Sequence, residues 1–241
     1  MENTIEVNHI TKSYGSKVVL NDIDLSIGKG QIYGLIGPSG AGKTTLVKLM
    51  VGMEKMDSGE VKVLGTKIPN LQILQEIGYM AQSDALYGEL TGKENLVFFA
   101  SLFKLNKNKQ KERIAYAAHL VNLTDELNKK VSAYSGGMKR RLSLAVALIQ
   151  NPKVLILDEP TVGIDPELRF SIWKELMRLK NEEHKTIIVT THVMDEAEKC
   201  DELAMVREGV ILTSGTPQAL KDKYKADNLE EVFLKAGGVI E

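Results

Sequence analysis

Polar and apolar residues alternate with period two over two stretches near the start of the chain, residues 5–10 and 22–27. This alternation predicts two half-buried β-strands, because successive side chains of a strand point to opposite faces. Residues 31–36 are more apolar and predict a buried strand, which a glycine-rich turn follows. Residues 60–64 repeat the strand pattern. The first third is therefore predicted to be mainly β structure, with one helix that starts near Gly42.

The middle of the chain changes to helical spacing over residues 92–150. A stretch rich in lysine and asparagine, residues 104–111, interrupts the pattern and predicts an exposed turn. Apolar residues at helical spacing after Ser135 predict a helix that begins there. The last third predicts strands at residues 153–157, 186–191, 203–207 and 210–213, helices at 166–180 and 193–199, and a terminal helix capped by Thr216 and Pro217. Together these elements predict an α/β core interrupted by a helical insertion.

Composition narrows the class of protein. Of the 241 residues, 31 are basic and 32 are acidic, so the chain has no global field that would attract nucleic acid or anionic lipid. The single cysteine, Cys200, excludes an internal disulfide and a zinc site built from cysteines. The longest apolar runs fall far short of the ~20 residues that cross a bilayer, and no secretory signal is visible at the N-terminus. We therefore expect a soluble cytoplasmic protein that does not bind nucleic acid.

The glycine-rich turn contains a motif with a specific chemical meaning. Gly37-Pro38-Ser39-Gly40-Ala41-Gly42-Lys43-Thr44 has the spacing G-x-x-x-x-G-K-[ST] between a predicted strand and a predicted helix. The glycines allow backbone N–H groups to turn inward around phosphate oxygens, and the helix start adds its positive end. Lys43 is expected to supply a cation for the β and γ phosphates, and Thr44 a hydroxyl ligand for Mg²⁺. The segment predicts a site for a nucleoside triphosphate.

Two acidic residues follow the apolar strand predicted at residues 153–157. Asp158 and Glu159 stand at its carboxyl end, which in an open α/β sheet faces the ligand crevice. Asp158 is expected to bind Mg²⁺ directly or through water, and Glu159 to polarise the attacking water. The [NT]-K-x-D pattern that recognises guanine is missing, because the segments that start at Thr11 and Asn128 lack its aspartate. This favours ATP.

A second anion cradle of small residues precedes the helix predicted near Ser135. Here the sequence is Tyr134-Ser135-Gly136-Gly137-Met138, followed by three basic residues. In this motif, and in the order of the others, the chain resembles the ATP-binding cassette (ABC) family, whose signature is Leu-Ser-Gly-Gly-Gln. Tyr134 and Met138 depart from the signature at the two positions that flank Ser-Gly-Gly. Together with residues 158–166 and 228–234, the segment is similar to the branch that exports drugs, polysaccharides and peptides.

The resemblance implies a fold and a set of site residues. The fold is a P-loop NTPase core with a mixed sheet, an N-terminal antiparallel β subdomain and an inserted α-helical subdomain. Residues 1–82 and 151–215 would be the core, 83–150 the helical subdomain and 216–241 a C-terminal helical extension. The catalytic residues implied are Lys43, Gln82, Glu159 and His192, and the Mg²⁺ ligands are Thr44, Gln82 and Asp158. The residues implied to contact ATP are Tyr14, with Val19 beside it, Gly37, Pro38, Ser39, Gly40, Ala41, Gly42, Lys43, Thr44, Thr45, Ser135, Gly136, Gly137 and the inter-subunit Asp165.

The resemblance also implies partners. In the family the two anion cradles belong to different subunits, so two ATP molecules would be held in a head-to-tail homodimer or heterodimer. A separate integral membrane permease would receive the force, and residues 84–95, with Leu86, Tyr87 and Leu90, are the predicted contact for its cytoplasmic helix. The chain is then expected at the inner face of the cell membrane. Its ATP hydrolysis would power substrate movement, with export as the direction that the branch implies.

Other classes of ATPase fit the sequence less well. Ribosome-acting proteins of the family carry two cassettes in one chain, whereas 241 residues hold one. DNA-repair members insert coiled coils or zinc-binding cysteines between the phosphate loop and the signature, and this chain has no cysteine there. A kinase of another family leaves residues 135–137 without a role. The alternative that stays open is a cassette that energises a non-transport complex, such as soluble assembly or cell-division machinery.

Overall fold

A computed structural model describes residues 3–83 and 85–240. In chain order its strands are β1 Asn3–Tyr14, β2 Lys17–Gly28, β3 Ile32–Ile36, β4 Ser58–Val63, β5 Thr66–Lys67, β6 Ile77–Met80, β7 Val154–Asp158, β8 Thr186–Thr191, β9 Glu202–Arg207 and β10 Val210–Gly215. Its helices are α1 Lys43–Met50, α2 Gly92–Leu102, α3 Lys107–Leu120, α4 Gly136–Leu148, α5 Pro166–Glu183, α6 Met194–Ala197, α7 Pro217–Tyr224 and α8 Leu229–Ala236. Among the residues described, no helix is both long and apolar enough to cross a membrane.

The described residues divide into two units. The first unit contains residues 3–73 and 186–240, and the second contains residues 74–185 except Asp84. In the first unit, β2, β1, β4 and β5 lie in this order in an antiparallel sheet. Ile5 pairs with Ile27 on one side and Val63 on the other, and all three side chains are fully buried. The predicted alternation is confirmed, and so is the antiparallel β subdomain.

The first unit also contains a mixed sheet centred on β3. This strand pairs in parallel with β8 and β9, and β10 is antiparallel to β9. Every residue of β3 and β8 is buried, as expected for parallel strands covered on both faces. Ile36 pairs with Thr191. The segments that follow β3 and β8 therefore leave the sheet at the same edge.

The C-terminal part of the first unit contains two helices, α7 and α8. Thr216 caps α7, as predicted, and the chain turns at Lys225, whose φ is +48°. Asn228 caps α8 through a hydrogen bond from Glu231 N to its Oδ1 of 2.9 Å. Buried side chains of both helices, among them Leu220 and Val232, pack against residues of β3 and β9.

The second unit combines a parallel strand pair with helices α2 to α5. β6 and β7 are parallel, and their last pair joins Met80 to Leu157. Residues 81 and 82 follow β6, and they lie at the same edge as Asp158, which ends β7, and Glu159. α4 starts where predicted, with Ser135 as its cap, and most of its residues are buried.

The predicted exposed turn at residues 104–111 is wrong over most of its length. The chain turns only at residues 103–106, and α3 starts at Lys107. Asn106 Oδ1 accepts a hydrogen bond of 2.9 Å from Lys109 N, which caps the helix. Lysine favours helices. The polar composition therefore marks an exposed helical face and not a loop.

Candidate nucleotide site

The phosphate loop, residues 37–45, connects β3 to the start of α1 in the first unit. At Gly37 an added Cβ would lie 2.1 Å from Val206 O. At Gly42, where φ is +107°, it would lie 2.8 Å from Leu20 Cδ2 and 2.9 Å from Val19 O. Only glycine fits at these two positions, because the loop backbone presses against β2 and β9. Residues 38–40 are exposed at the tip of the loop.

Lys43 is held inside this loop although it carries a charge. Its side chain is 5% exposed, and its Nζ donates hydrogen bonds to Gly37 O at 2.6 Å and Pro38 O at 2.9 Å. Lys43 is also the first residue of α1, where the positive end of the helix dipole lies. Thr44 and Thr45 follow it and are half-buried. Backbone amides, dipole and ammonium group together suit a phosphate anion.

His192 is exposed directly after β8. Its turn is fixed by Thr191, whose Oγ1 donates to the buried Glu196 Oε2 at 2.8 Å and accepts from Val193 N at 3.0 Å. Because Thr191 pairs with Ile36, the turn with His192 and the phosphate loop stand at the same edge of the mixed sheet. The first unit therefore brings these two predicted elements together.

Tyr14 ends β1, and its side chain is 45% exposed. The Nζ of Lys12 lies 5.0 Å from the centre of its ring, within the range of a cation–π contact. Partial burial, and then the negative charge of Glu54, raise the pKa of the hydroxyl above its ordinary value. The phenol is therefore neutral at physiological pH. Its exposed ring can stack on a base.

In the second unit, the parallel pair places Gln82 beside Glu159. Gln82 Nε2 donates to Glu159 Oε2 at 3.5 Å. Asp158, the residue before Glu159, is fully buried. Burial, and then the negative charge of Asp158, raise the pKa of Tyr79 in β6 to about 12. The second unit therefore contains Gln82, Asp158 and Glu159, while Thr44, the other predicted metal ligand, lies in the first unit.

The backbone at this edge contains two features that the sequence patterns do not predict. Glu159 is left-handed, with a φ of +52°, a conformation that residues other than glycine rarely adopt. Its carbonyl accepts a hydrogen bond from Arg140. Arg140 stood in the sequence only as one of three basic residues after the signature. The helical period offered a signal, since Arg140 shares a face with Leu144 and Ala147, both buried.

The signature and the loop before α5 also meet within the second unit. Ser135 Oγ accepts from Met138 N at 3.3 Å, so it caps α4. An added Cβ at Gly137 would lie 3.3 Å from Gly163 O. Asp165 Oδ1 accepts from the Leu168 amide at 3.0 Å and caps α5. The structure therefore gives Ser135 and Asp165 a capping function, whatever ligand they contact.

The departure from the family signature at Tyr134 has a local explanation. The tyrosine is buried, and its hydroxyl donates to Glu126 O at 2.8 Å. An added Cβ at Gly92, the first residue of α2, would lie 2.3 Å from the same hydroxyl. Tyr134 therefore fills space beside the start of α2, where its hydroxyl has a backbone partner.

The segment predicted to contact a permease is partly exposed. Asp84 lies outside the described residues, and Leu86 and Leu90 are half-buried. Tyr87 is 49% exposed, and its ring packs edge-on against Phe98 with ring centres 4.9 Å apart. Phe98 contacts Phe99 in the same way at 5.3 Å. These three rings form an aromatic cluster at the surface of the second unit.

Comparison with known proteins identifies the family of this chain. Residues 20–162 match the pattern of the family described as "ABC transporter". The chain belongs to the ABC transporter family. This ABC cassette is an ATP-binding subunit and an ATPase. It is 41% identical over 238 residues to ABC transporter G family member 23 of Dictyostelium discoideum, covering 96% of the cassette and 33% of that protein. It is 40% identical over 232 residues to the Nod factor export ATP-binding protein I of Rhizobium meliloti (strain 1021), covering 95% and 69%.

Solved structures of ABC proteins confirm the predicted fold. The cassette superposes with a TM-score of 0.90 on an ATP-binding subunit of an ABC transporter, at 24% identity and with 97% and 99% of the two chains covered. It superposes with a TM-score of 0.83 on the ATP-binding cassette MJ0796 in a dimeric post-hydrolysis state bound to ADP and Pi, at 26% identity and with 88% and 98% covered. The cassette spans about a third of the Dictyostelium relative.

Proposed function

We propose that the cassette binds ATP with Mg²⁺, hydrolyses it as a head-to-tail dimer, and so powers export through a separate membrane permease. The observation that carries the proposal is the phosphate loop, in which Lys43 is held by the carbonyls of Gly37 and Pro38. A buried ammonium group at a helix start has the position and charge to bind the β and γ phosphates. The other roles follow from the family and from the chemistry of each side chain.

The metal and water roles belong to a small set of side chains. Thr44 and Asp158 are proposed to hold Mg²⁺, with Gln82 as a further ligand, since a hydroxyl, an amide and a carboxylate are the oxygen donors that this ion prefers. When bound, Mg²⁺ would neutralise charge on the phosphate oxygens. Glu159 is proposed to orient and deprotonate the attacking water, with Gln82 at 3.5 Å as its neighbour. His192 is proposed to contact the γ-phosphate.

Residues 135–137 are proposed to contact ATP on a second copy of the cassette. Gly136 has no atom within 4 Å of an added Cβ, so its position at the start of α4 is open to a ligand. Asp165 is proposed to lie in the same subunit interface. Tyr14 is proposed to stack on adenine. ATP would then join two chains, and its hydrolysis would release them.

The dimer can be tested with a hydrolysis-deficient variant. Glu159→Gln should keep ATP binding, lose nearly all turnover and double in mass when MgATP is added, as measured by light scattering. In that background Gly136→Asp should stay monomeric while it still binds ATP, because a carboxylate in the cradle repels phosphate without a clash in the chain. Gly136→Ala is the steric control and should still dimerise. A Glu159→Gln variant that turns over ATP normally, or stays monomeric with MgATP, refutes the proposal.

The aromatic cluster is proposed to contact the permease. When the cells that naturally contain the cassette are fractionated, Tyr87→Asp should move it from the membrane pellet to the soluble fraction. Its dimerisation with ATP should continue. Leu71→Asp is the matched control, since Leu71 is 85% exposed in the first unit and outside the cluster. A wild-type cassette found only in the soluble fraction would favour the alternative of a non-transport complex.

A further inference from the structure

Arg140 joins the two segments that carry Gln82 and Glu159. Its Nη1 donates to Ala81 O at 2.7 Å and to Gln82 O at 2.8 Å. Its Nη2 donates to Glu159 O at 2.7 Å and to Asp158 O. The side chain is 7% exposed. One buried guanidinium therefore binds four carbonyls: two that follow β6, that of Asp158 at the end of β7, and that of Glu159 after it.

The position of these carbonyls explains why they need such a partner. The ladder between β6 and β7 ends with the pair of Met80 and Leu157, so the four carbonyls come just after the last paired residues. A planar guanidinium carries several donors in a fixed fork, which lets its two terminal nitrogens serve two chain segments at once. A lysine ammonium is a single point and cannot span both. Arg140 therefore continues the connection of the two strands beyond their own hydrogen bonds.

The same contact supports an unusual backbone conformation. Glu159 is left-handed, and such conformations persist only where surrounding structure holds them. The Glu159 carbonyl is one of the four acceptors, so Arg140 fixes the peptide that directs the Glu159 side chain. Arg140 itself lies on α4, five residues after Ser135, which caps the helix.

We propose that Arg140 is a positioning residue, which holds Gln82 and Glu159 in the geometry that ATP hydrolysis needs. The inference rests on the function proposed above for those two residues. Arg140 touches neither ATP nor water in this scheme. It acts through the backbone at the carboxyl ends of β6 and β7, and Arg140 itself lies on α4.

The test compares two buried arginines. Arg140→Gln should lower kcat by about 10- to 100-fold, which corresponds to about 1.4–2.7 kcal/mol of barrier, while ATP affinity changes little. Arg113→Gln is the matched control, because Arg113 is 8% exposed and also donates to carbonyls, those of Leu148 at 2.6 Å and Ile149 at 3.3 Å. It should lose stability, yet keep kcat per folded molecule. Arg140→Lys keeps the charge but should stay impaired, and full turnover in that variant overturns the proposal.

A combined variant shows whether Arg140 acts through Glu159. If it does, Glu159→Gln with Arg140→Gln should be no slower than Glu159→Gln alone, because the carboxylate being positioned is already gone. A further loss of tenfold or more contradicts the part of the inference that concerns Glu159, because the added loss must then come through another group. If Glu159→Gln alone keeps normal turnover, the proposed function itself fails, and this outcome differs from an inactive Glu159→Gln beside a fully active Arg140→Gln.

Hydrogen exchange supplies a measurement that does not depend on turnover. In Arg140→Gln, amides of residues 81–83 and 158–161 should exchange faster, because both segments lose their shared support. In Arg113→Gln they should exchange at the wild-type rate. Equal protection of both segments in wild type and Arg140→Gln overturns the inference.

Discussion

Glu159 offers a test in which stability and activity should move in opposite directions. The residue is held at a φ of +52°, a conformation that glycine adopts without steric cost and that other residues adopt only at a cost in free energy. Arg140 contacts the carbonyl of Glu159, so a change of side chain leaves that backbone hydrogen bond in place. We predict that Glu159→Gly raises the free energy of unfolding and abolishes ATP turnover.

The magnitude follows from two opposing terms. A left-handed conformation costs a residue other than glycine about 1–2 kcal/mol. Glycine loses more freedom on folding, which costs about 0.5–1 kcal/mol. The difference between the two terms spans about 0–1.5 kcal/mol, so the expected net stabilisation is its midpoint, about 0.75 kcal/mol. The 3.5 Å hydrogen bond to Gln82 is long and adds little. For a protein of this size, that free energy raises Tm by roughly 1–4 °C.

Thermal unfolding and a phosphate-release assay on the same samples would check both halves. Glu159→Ala is one control, because alanine keeps the strain and should not gain stability. His184→Gly is the other: His184 ends α5 at φ +52°, so it should gain similar stability and keep its turnover. If Glu159→Gly melts no higher than Glu159→Ala, the strain argument is wrong. If it hydrolyses ATP at the wild-type rate, the catalytic role of Glu159 is wrong.

Two further predictions concern a helix cap and a histidine. Asp165→Ala should lower the free energy of unfolding by about 1 kcal/mol, while Asp165→Asn keeps the cap; equal losses of stability in denaturant titrations would contradict this. His9 Nδ1 lies 2.9 Å from Asp22 Oδ1 and 3.3 Å from Asp24 Oδ2, and the hydrogen bond to Asp22, then the charge of Asp24, raise the pKa of His9 above 6.5. Stability from this pairing is therefore complete below pH 6.5 and is lost as pH rises through the folded pKa. In an NMR titration Asp22→Asn should lower the midpoint of His9 and Asp125→Asn should not, and an unchanged midpoint in Asp22→Asn would be evidence against the pairing.

The strands were predictable because their burial follows directly from residue type. β8 has the predicted bounds, residues 186–191. The polar turns on either side of the apolar run fix where the buried strand begins and ends. The predicted turn at residues 104–111 was wrong because residue type is ambiguous there. Lysine and asparagine are common both in turns and on exposed helical faces, and only the Asn106 cap decides between them.

The site was predictable where a motif fixes the local backbone. Gly37 and Gly42 lie where only glycine fits, so the phosphate-loop pattern and its geometry carry the same information. The left-handed Glu159 and the contacts of Arg140 were not predictable in this way. Both depend on carbonyls from two segments that are distant in sequence and close in the fold. The spacing of residues within one segment cannot predict that contact.

The caps at residues 135 and 165 show how the cassette can prepare groups for a ligand before it arrives. The Ser135 hydroxyl accepts from Met138 N, but it still has one O–H to donate, so capping does not prevent it from binding a phosphate oxygen. Asp165 has only acceptors when ionised, and Oδ1 already serves the Leu168 amide, which leaves Oδ2 for a donor and not for phosphate. The same capping geometry therefore leaves Ser135 a donor for its proposed phosphate contact, and leaves Asp165 an acceptor for an N–H or O–H group in the proposed subunit interface.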